Sequence, residues 1–332
     1  MLSQEKIKEA LADVLVPGIR RSLTDLNLVR DIELGGGKVV ITLASTALDE
    51  DAQRWVKEKA ASVVKQIADK AAIEVVFSEK RPLEINRVKH VIAVMSGKGG
   101  VGKSLVTALT AVLLNRQGFS VGILDADITG PSIPKMFGIS TRPMGSESGI
   151  LPVLSANGIE IISINLFLPG DDEAVIWRGP LIGKAITQFW EDVLWGNLDY
   201  LIVDLPPGTA DAPLTALQVL PVSGAIIVFT PQDLTTMIVK KAVKMAQQMD
   251  KKVLGVVENM SFLYVPELKK QIDIFGKSRG DEMSRAAGAP LLARIPIDPE
   301  LATLCDEGHI ERYAAEILTT YRDALLKAIP PA

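Results

Sequence analysis

The sequence predicts an α/β protein: a mostly parallel sheet flanked by helices, preceded by a small α+β domain. Three observations carry that expectation. From residue 88 onward, near-continuous apolar runs at 90–95, 121–124, 159–164, 200–203, 224–229, 253–257 and 290–295 alternate with helical stretches. Such runs are what strands buried on both faces look like. A glycine-rich loop joins the first of these strands to a helix. The first 80 residues, by contrast, read α-β-β-α-β and look self-contained.

Within that first part, residues 7–15 show helical periodicity, and Val16-Pro17-Gly18 breaks it. Two β-prone runs, 28–34 and 39–43, flank Gly35-Gly36-Gly37-Lys38 and read as a hairpin. Residues 48–68 have helical spacing, and 73–77 make a closing strand. The stretch that follows is charged, carries Pro82 and lacks periodicity. The expected organisation is a small α+β domain at 1–79, a linker at 80–87 and an α/β domain at 88–332.

Composition narrows the classes of function. With 48% hydrophobic and 23% charged residues, the chain can bury a sizeable core. A net charge of −4 offers no basic field for nucleic acid, so no nucleic-acid partner is expected. The start, MLSQEKIKEA, is polar and acidic where a secretory leader needs an apolar stretch. No run approaches the roughly 18 apolar residues that span a bilayer, so no membrane partner is expected either. Cys305 is the only cysteine, which forbids an intrachain disulfide and fits a reducing cytoplasm. The only histidines are His90 and His309, so one chain lacks the ligands for a His/Cys zinc or iron site.

The glycine-rich loop is the most specific signal. Ser96-Gly97-Lys98-Gly99-Gly100-Val101-Gly102-Lys103-Ser104 contains G-x-x-x-x-G-K-S between an expected strand and an expected helix. That is a P-loop in its proper context. Its glycines let backbone N–H groups converge on phosphate oxygens, and the helix N-terminus adds positive potential. Lys103 is expected on the β- and γ-phosphates, and the Ser104 hydroxyl on Mg²⁺. Lys98 is a second cation inside the loop, able to screen a γ-phosphate in its own site or a neighbour's.

Two further strands end in carboxylates. Residues 121–124 lead into Asp125-Ala126-Asp127, at the carboxyl end of a parallel strand where the P-loop opens. One carboxylate there can orient the attacking water and the other can support the Mg²⁺ shell. The next loop, with Gly130, Pro131 and Pro134, has the composition of a γ-phosphate-responsive segment. Residues 200–203 lead into Asp204-Leu205-Pro206-Pro207-Gly208, a Walker B pattern that places Asp204 on Mg²⁺. The Gly208 N–H could meet the γ-phosphate, and Asp211 reads as either a site residue or a helix cap.

Taken together, the loop 96–104, the stretch 124–133 (LDADITGPSI), 203–210 (VDLPPGTA), 229–232 (FTPQ) and 257–261 (VENMS) resemble the Mrp/ApbC family of ATP-binding iron–sulfur carriers. These belong among the MinD-, ParA- and nitrogenase-iron-protein-like ATPases with a two-lysine P-loop, of the SIMIBI class. The N-terminal module, with Pro17-Gly18 and the stretch 25–32, resembles the small domain associated with Fe–S assembly. The resemblance implies ATP and Mg²⁺ as cofactors, slow hydrolysis without a partner, and a homodimer in which Lys98 reaches the partner's nucleotide. It implies Asp127 as the water-activating carboxylate and Asn259 as a hydrogen-bonding partner of adenine. Its clients would be apo iron–sulfur proteins or assembly factors.

One part of the pattern is missing. The family places Cys-Pro-x-Cys a few residues after Glu-Asn-Met-Ser, and this chain has Val265-Pro266-Glu267-Leu268 there. Thiolates hold such clusters, and valine and leucine cannot replace them. Cys305 reads as a small buried hydrophobe. Cluster binding therefore needs other ligands, for instance from a heterodimer with a Cys-bearing paralogue. The alternative reading is a MinD- or ParA-like positioning or partitioning ATPase. Against it, the tail 313–332 has balanced charges between Glu316 and Lys327 and reads as a helix docked on the domain. A third reading, a scaffold with ATP as a structural ligand, runs against the full set Lys103, Ser104, Asp127 and Asp204. Residues 174–181, with Trp177 and Arg178, also resemble a family stretch that could line a dimer face, and 237–245 reads as a solvated basic helix face.

Overall fold

A computed structural model describes residues 2–127, 132–167, 179–209, 211–232, 235–265 and 270–332, with side chains throughout except at 179–182, 235 and 236. The chain divides into two compact units. The first comprises Met1–Val88 together with Arg142–Val153 and Gln188–Leu198. The second comprises Lys89–Thr141, Leu154–Thr187 and Asp199–Ala332.

In the first unit, helices α1 (Gln4–Leu11) and α2 (Glu50–Ile67) accompany a sheet of β1 (Val29–Gly35), β2 (Lys38–Ala44) and β3 (Ala72–Ser78). Strand β1 runs antiparallel to β2, and β2 runs parallel to β3. The α-β-β-α-β order matches the expectation, but α1 starts and stops earlier than the predicted 7–15. Ser3 caps the helix by accepting from the Lys6 N–H at 3.3 Å, which moves the start back. Its apolar spacing then continues into a turn, where Val14 and Val16 stay buried while their backbones pair with Leu23 and Arg21. Periodicity reports burial, and here buried side chains outlast the helix.

The segment 80–87 is ordered around a short helix, α3 (Pro82–Ile85). The Arg81 N–H donates to Glu84 Oε2 at 2.8 Å, and Ile85 is buried. The Asn86 side chain donates to the Val193 carbonyl at 2.9 Å and accepts from the Gly196 N–H at 3.0 Å. Leu151 and Leu194 join the core built by Ile7, Leu26, Ile41 and Val56. Strands β6 (Met144–Ser146) and β7 (Gly149–Leu151) form a small antiparallel pair in this unit.

The larger sheet has eight strands in the order β15-β12-β11-β4-β10-β5-β9-β8. These are β4 (Arg87–Met95), β5 (Val121–Asp125), β8 (Val153–Leu154), β9 (Glu160–Ser163), β10 (Asn197–Asp204), β11 (Val222–Phe229), β12 (Val253–Glu258) and β15 (Leu291–Arg294). The pairs β4–β11, β11–β12, β12–β15, β5–β10 and β5–β9 are all parallel. Helices α4 (Lys103–Asn115), α5 (Ile133–Met136), α6 (Gly179–Glu191), α7 (Asp211–Val219), α8 (Thr235–Gln248), α9 (Gly280–Ala287), α10 (Pro299–Asp306) and α11 (Ile317–Ala328) complete the chain. Each of the seven predicted apolar runs is a strand of this sheet. The predicted α/β fold with a large, mostly parallel sheet is the observed one.

Strand order reverses around β4: the chain moves to β5 and β9, returns to β10, and then crosses to β11 and β12. That switch point opens a crevice at the carboxyl ends of the strands. The C-terminal helix α11 is docked as expected, with Leu318, Tyr321 and Leu325 buried and Tyr321 hydroxyl 2.6 Å from the Thr110 hydroxyl of α4. Among the described residues, no helix is long and apolar enough to cross a membrane.

Candidate nucleotide site

Strand β4 delivers the chain into the loop 96–102, and α4 begins at Lys103. Gly102 sits before the helix with φ +76°, a left-handed conformation that strains other residues. A Cβ there would lie 2.1 Å from Asn259 Nδ2. Gly97 is required for a different reason, since a Cβ would lie 2.1 Å from Ile238 Cγ2 and 2.6 Å from the Ile238 carbonyl of α8. Backbone bonds fix the loop to its neighbour: Gly208 N–H donates to the Ser96 carbonyl at 3.0 Å, and Leu205 N–H to Val94 at 3.1 Å. The buried Ser96 hydroxyl donates to the Lys98 carbonyl at 2.9 Å. The α4 N-terminus thus points into a rigid cradle, which suits an anion.

The charged side chains converge at the mouth of that cradle. Lys103 is only 5% exposed. Its Nζ lies 2.8 Å from Asp204 Oδ1 and 3.2 Å from Asp127 Oδ2. Burial alone would lower the lysine's pKa, but Asp204, then Asp127 and Asp125, outweigh it and hold the ammonium above its ordinary value. Ser104 donates to Asp204 Oδ2 at 2.5 Å, and Thr107, one turn along α4, donates to Asp204 Oδ1 at 2.7 Å. Asp125 is fully buried and accepts from the Ser163 hydroxyl at 2.8 Å and from the Asp127 N–H at 3.2 Å. Burial, then Asp204, push the Asp125 carboxyl up to about 8.

Three carboxylates therefore face one ammonium, beside a hydroxyl. Hard oxygen donors in this number suit Mg²⁺, which is held through one or two carboxylates, substrate phosphates and water rather than in a closed protein cage. Among the described residues, no group of three or more His, Cys, Asp or Glu side chains is placed to hold a metal ion by itself.

The other expected residues fall as follows. Asn259, at the end of β12, is 1% exposed. Its Nδ2 donates to the Val101 carbonyl at 2.9 Å, and its backbone N–H donates to Phe229 at 2.8 Å, so the side chain braces the loop from beneath. Lys98, half-buried, donates to Gln232 Oε1 just past β11. The Gly208 N–H is engaged with Ser96, and Asp211 is the exposed first residue of α7. Residues 128–131, with Gly130 and Pro131, and the stretch holding Trp177 and Arg178 lie outside the described residues. On α8, Lys240, Lys241 and Lys244 are exposed, while Val239 and Ala242 are buried, a solvated basic face.

The segment after Asn259 carries a short hairpin, β13 (Leu263–Val265) with β14 (Lys270–Ile272); Pro266, Glu267 and Leu268 lie outside the described residues. Both feet of this segment stand on the buried Glu258. It accepts from the Ser261 and Ser278 hydroxyls, each at 2.6 Å, from the Arg279 N–H at 2.7 Å, and from Arg294 Nε at 3.3 Å. Cys305, in α10, is half-buried, and burial followed by Asp306 pushes its thiol up to about 11. Sequence reasoning gave no role to Thr107, Ser163, Gln232 or Glu258. Thr107 could have been found as the residue three after Ser104 on the same helix face, and Ser163 as the residue in register with Asp125.

Residues 87–329 match the family of NUBPL iron-transfer P-loop NTPases, and residues 4–75 match the iron–sulfur cluster assembly protein family. An iron–sulfur cluster carrier protein of Synechocystis is 40% identical over 321 residues, which cover 93% of this chain and 91% of that protein. A solved nucleotide-binding protein of Archaeoglobus fulgidus, in complex with ADP, is 45% identical over 69% of this chain and 90% of its own, with a TM-score of 0.63. The septum site-determining protein MinD of Pyrococcus horikoshii, solved with Mg-ADP, covers 72% of this chain and 95% of its own at 21% identity and a TM-score of 0.52, a likeness of fold.

Proposed function

The chain belongs to the family of NUBPL iron-transfer P-loop NTPases, and from that premise we propose that it binds and hydrolyses Mg-ATP as a dimer that serves iron–sulfur cluster assembly or transfer. The observation that carries this reading is the convergence of Lys103, Ser104, Asp127 and Asp204 within about one hydrogen bond of each other. In this arrangement the loop N–H groups and Lys103 hold the β- and γ-phosphates. Asp127 orients the attacking water and accepts its proton. Ser104 and Asp204, with Asp125 behind them, would hold Mg²⁺, which neutralises charge on the phosphates. Lys98 supplies a further positive charge to the γ-phosphate across the dimer. Asn259 contributes by bracing the loop, and, once it releases Val101, by offering its amide to a base edge.

The cluster is cargo here, and the chain alone is a poor host for it. One cysteine with a raised thiol pKa gives a symmetric dimer two thiols, both disfavoured as thiolates. Cluster handling then draws thiolates from a partner: a Cys-bearing paralogue in a heterodimer, or the client apoprotein itself. The name of the Synechocystis relative, and the small domain matched at 4–75, support the cargo.

Two measurements test the reading. Lys103→Ala should lower kcat/KM for ATP by about 10²-fold or more, because a pre-aimed charge in the site is lost; hydrolysis that survived would refute the site. Anaerobic iron–sulfide reconstitution, followed by iron counting, should leave the pure protein without a stoichiometric cluster. A full cluster on the protein alone would overturn the need for outside thiolates. In this reading α11, with Leu318, Tyr321 and Leu325 buried, packs on the domain rather than on a membrane.

A further inference from the structure

The P-loop is held from one side by three residues that follow strands β11 and β12. Ile238 of α8 closes on Gly97, Asn259 bonds Val101, and Gln232 bonds Lys98. Only the last of these contacts holds a charged group by a neutral one. Lys98 carries a full positive charge, and the amide oxygen of Gln232 gives it a neutral acceptor. A phosphate oxygen adds the attraction of opposite charges to the hydrogen bond that the neutral amide oxygen already makes with the ammonium. An incoming phosphate oxygen therefore outcompetes Gln232 for the ammonium, whereas a carboxylate at the same place would compete with it. The Lys98 carbonyl is held by the Ser96 hydroxyl, so the exchange is one of side-chain partners.

We infer that Gln232 is a positioning residue for Lys98: it parks the loop's second lysine within its own chain and releases it to a nucleoside triphosphate's terminal phosphate. The inference rests on the reading that Lys98 acts on a phosphate.

The test uses the full chain with Mg-ATP and three variants. Gln232→Glu replaces the neutral acceptor by an anion of the same shape. It should lower kcat about tenfold with KM for ATP within about twofold, and high salt should restore part of the loss, because the new ion pair is screened. A merely structural defect would not respond to salt in that direction. Reductive methylation of Lys98, quantified by mass spectrometry without nucleotide, should slow in Gln232→Glu and rise severalfold in Gln232→Ala. Unchanged Lys98 labelling in both variants, or a kcat for Gln232→Glu within about twofold of the parent, overturns the proposal. If Gln232→Glu does not fold, labelling of Gln232→Ala decides alone: faster supports the parked lysine, unchanged refutes it. Lys98→Ala separates the two layers. Full kcat in that variant would overturn the role of Lys98 in hydrolysis, while the labelling result would still judge the Lys98–Gln232 contact.

Discussion

Replacing Gly102 by alanine perturbs the site at its tightest point, and the structure says how much. The left-handed φ of +76° costs an L-residue about 1–2 kcal/mol. The new methyl would also stand 2.1 Å from Asn259 Nδ2, far inside any real contact. Asn259 must then leave the Val101 carbonyl, and a buried donor or acceptor without its partner costs about 1–3 kcal/mol. The two effects together predict a loss of about 2–5 kcal/mol for Gly102→Ala. They are separable. In an Asn259→Ala background the nearest remaining atom is Met260 Cε at 3.8 Å, an ordinary contact, so only the backbone strain survives. A double-mutant cycle by urea denaturation should therefore return a coupling of about 1–3 kcal/mol. Coupling below about 0.5 kcal/mol, within the scatter of independent sites, would refute the claim that Asn259 braces the loop through this contact.

Further predictions concern charge and burial. Asp125 binds its proton more tightly folded, near 8, than unfolded, near 3.8. Its contribution is therefore full below about 4 and is lost as pH rises toward 8. Without Mg²⁺ and nucleotide, Asp125→Asn should stabilise the protein by at least about 1 kcal/mol more at pH 9 than at pH 4.5, read from urea midpoints; an equal effect at both would contradict the buried carboxyl. With its thiol near 11, Cys305 should react with iodoacetamide at pH 8 about a hundredfold more slowly than a thiol of ordinary pKa, and speed up toward pH 10. Glu258→Gln weakens bonds to both feet of the hairpin segment. It should cost about 1–3 kcal/mol and raise tryptic cleavage at Lys270 or Lys277, with intact peptides arguing that other contacts hold the segment.

The sheet was legible in the sequence because strands buried on both faces leave unbroken apolar runs, and each run became a strand. The nucleotide site was legible where chemistry lies within one loop or at a strand end: Lys103, Ser104, Asp127 and Asp204 meet as their positions suggest. What pattern could not show is partnership across the chain. The Lys98–Gln232 and Asn259–Val101 bonds join residues 134 and 158 positions apart, and nothing in local periodicity pairs them. The same holds for residues 142–153 and 188–198, which sit inside the stretch expected to form the second domain yet pack with the first unit. Their composition resembles their surroundings, so no boundary marks them.

Glu258 gives the segment between residues 261 and 278 a shared point of attachment. Hydroxyls at both ends and a backbone N–H at one of them share one buried carboxylate, so the two ends are held or lost together rather than one at a time. The hairpin between them keeps its own pairing, Leu263 with Ile272 and Val265 with Lys270. Anchor and hairpin are therefore separate targets: a change at Glu258 loosens the ends without touching that pairing.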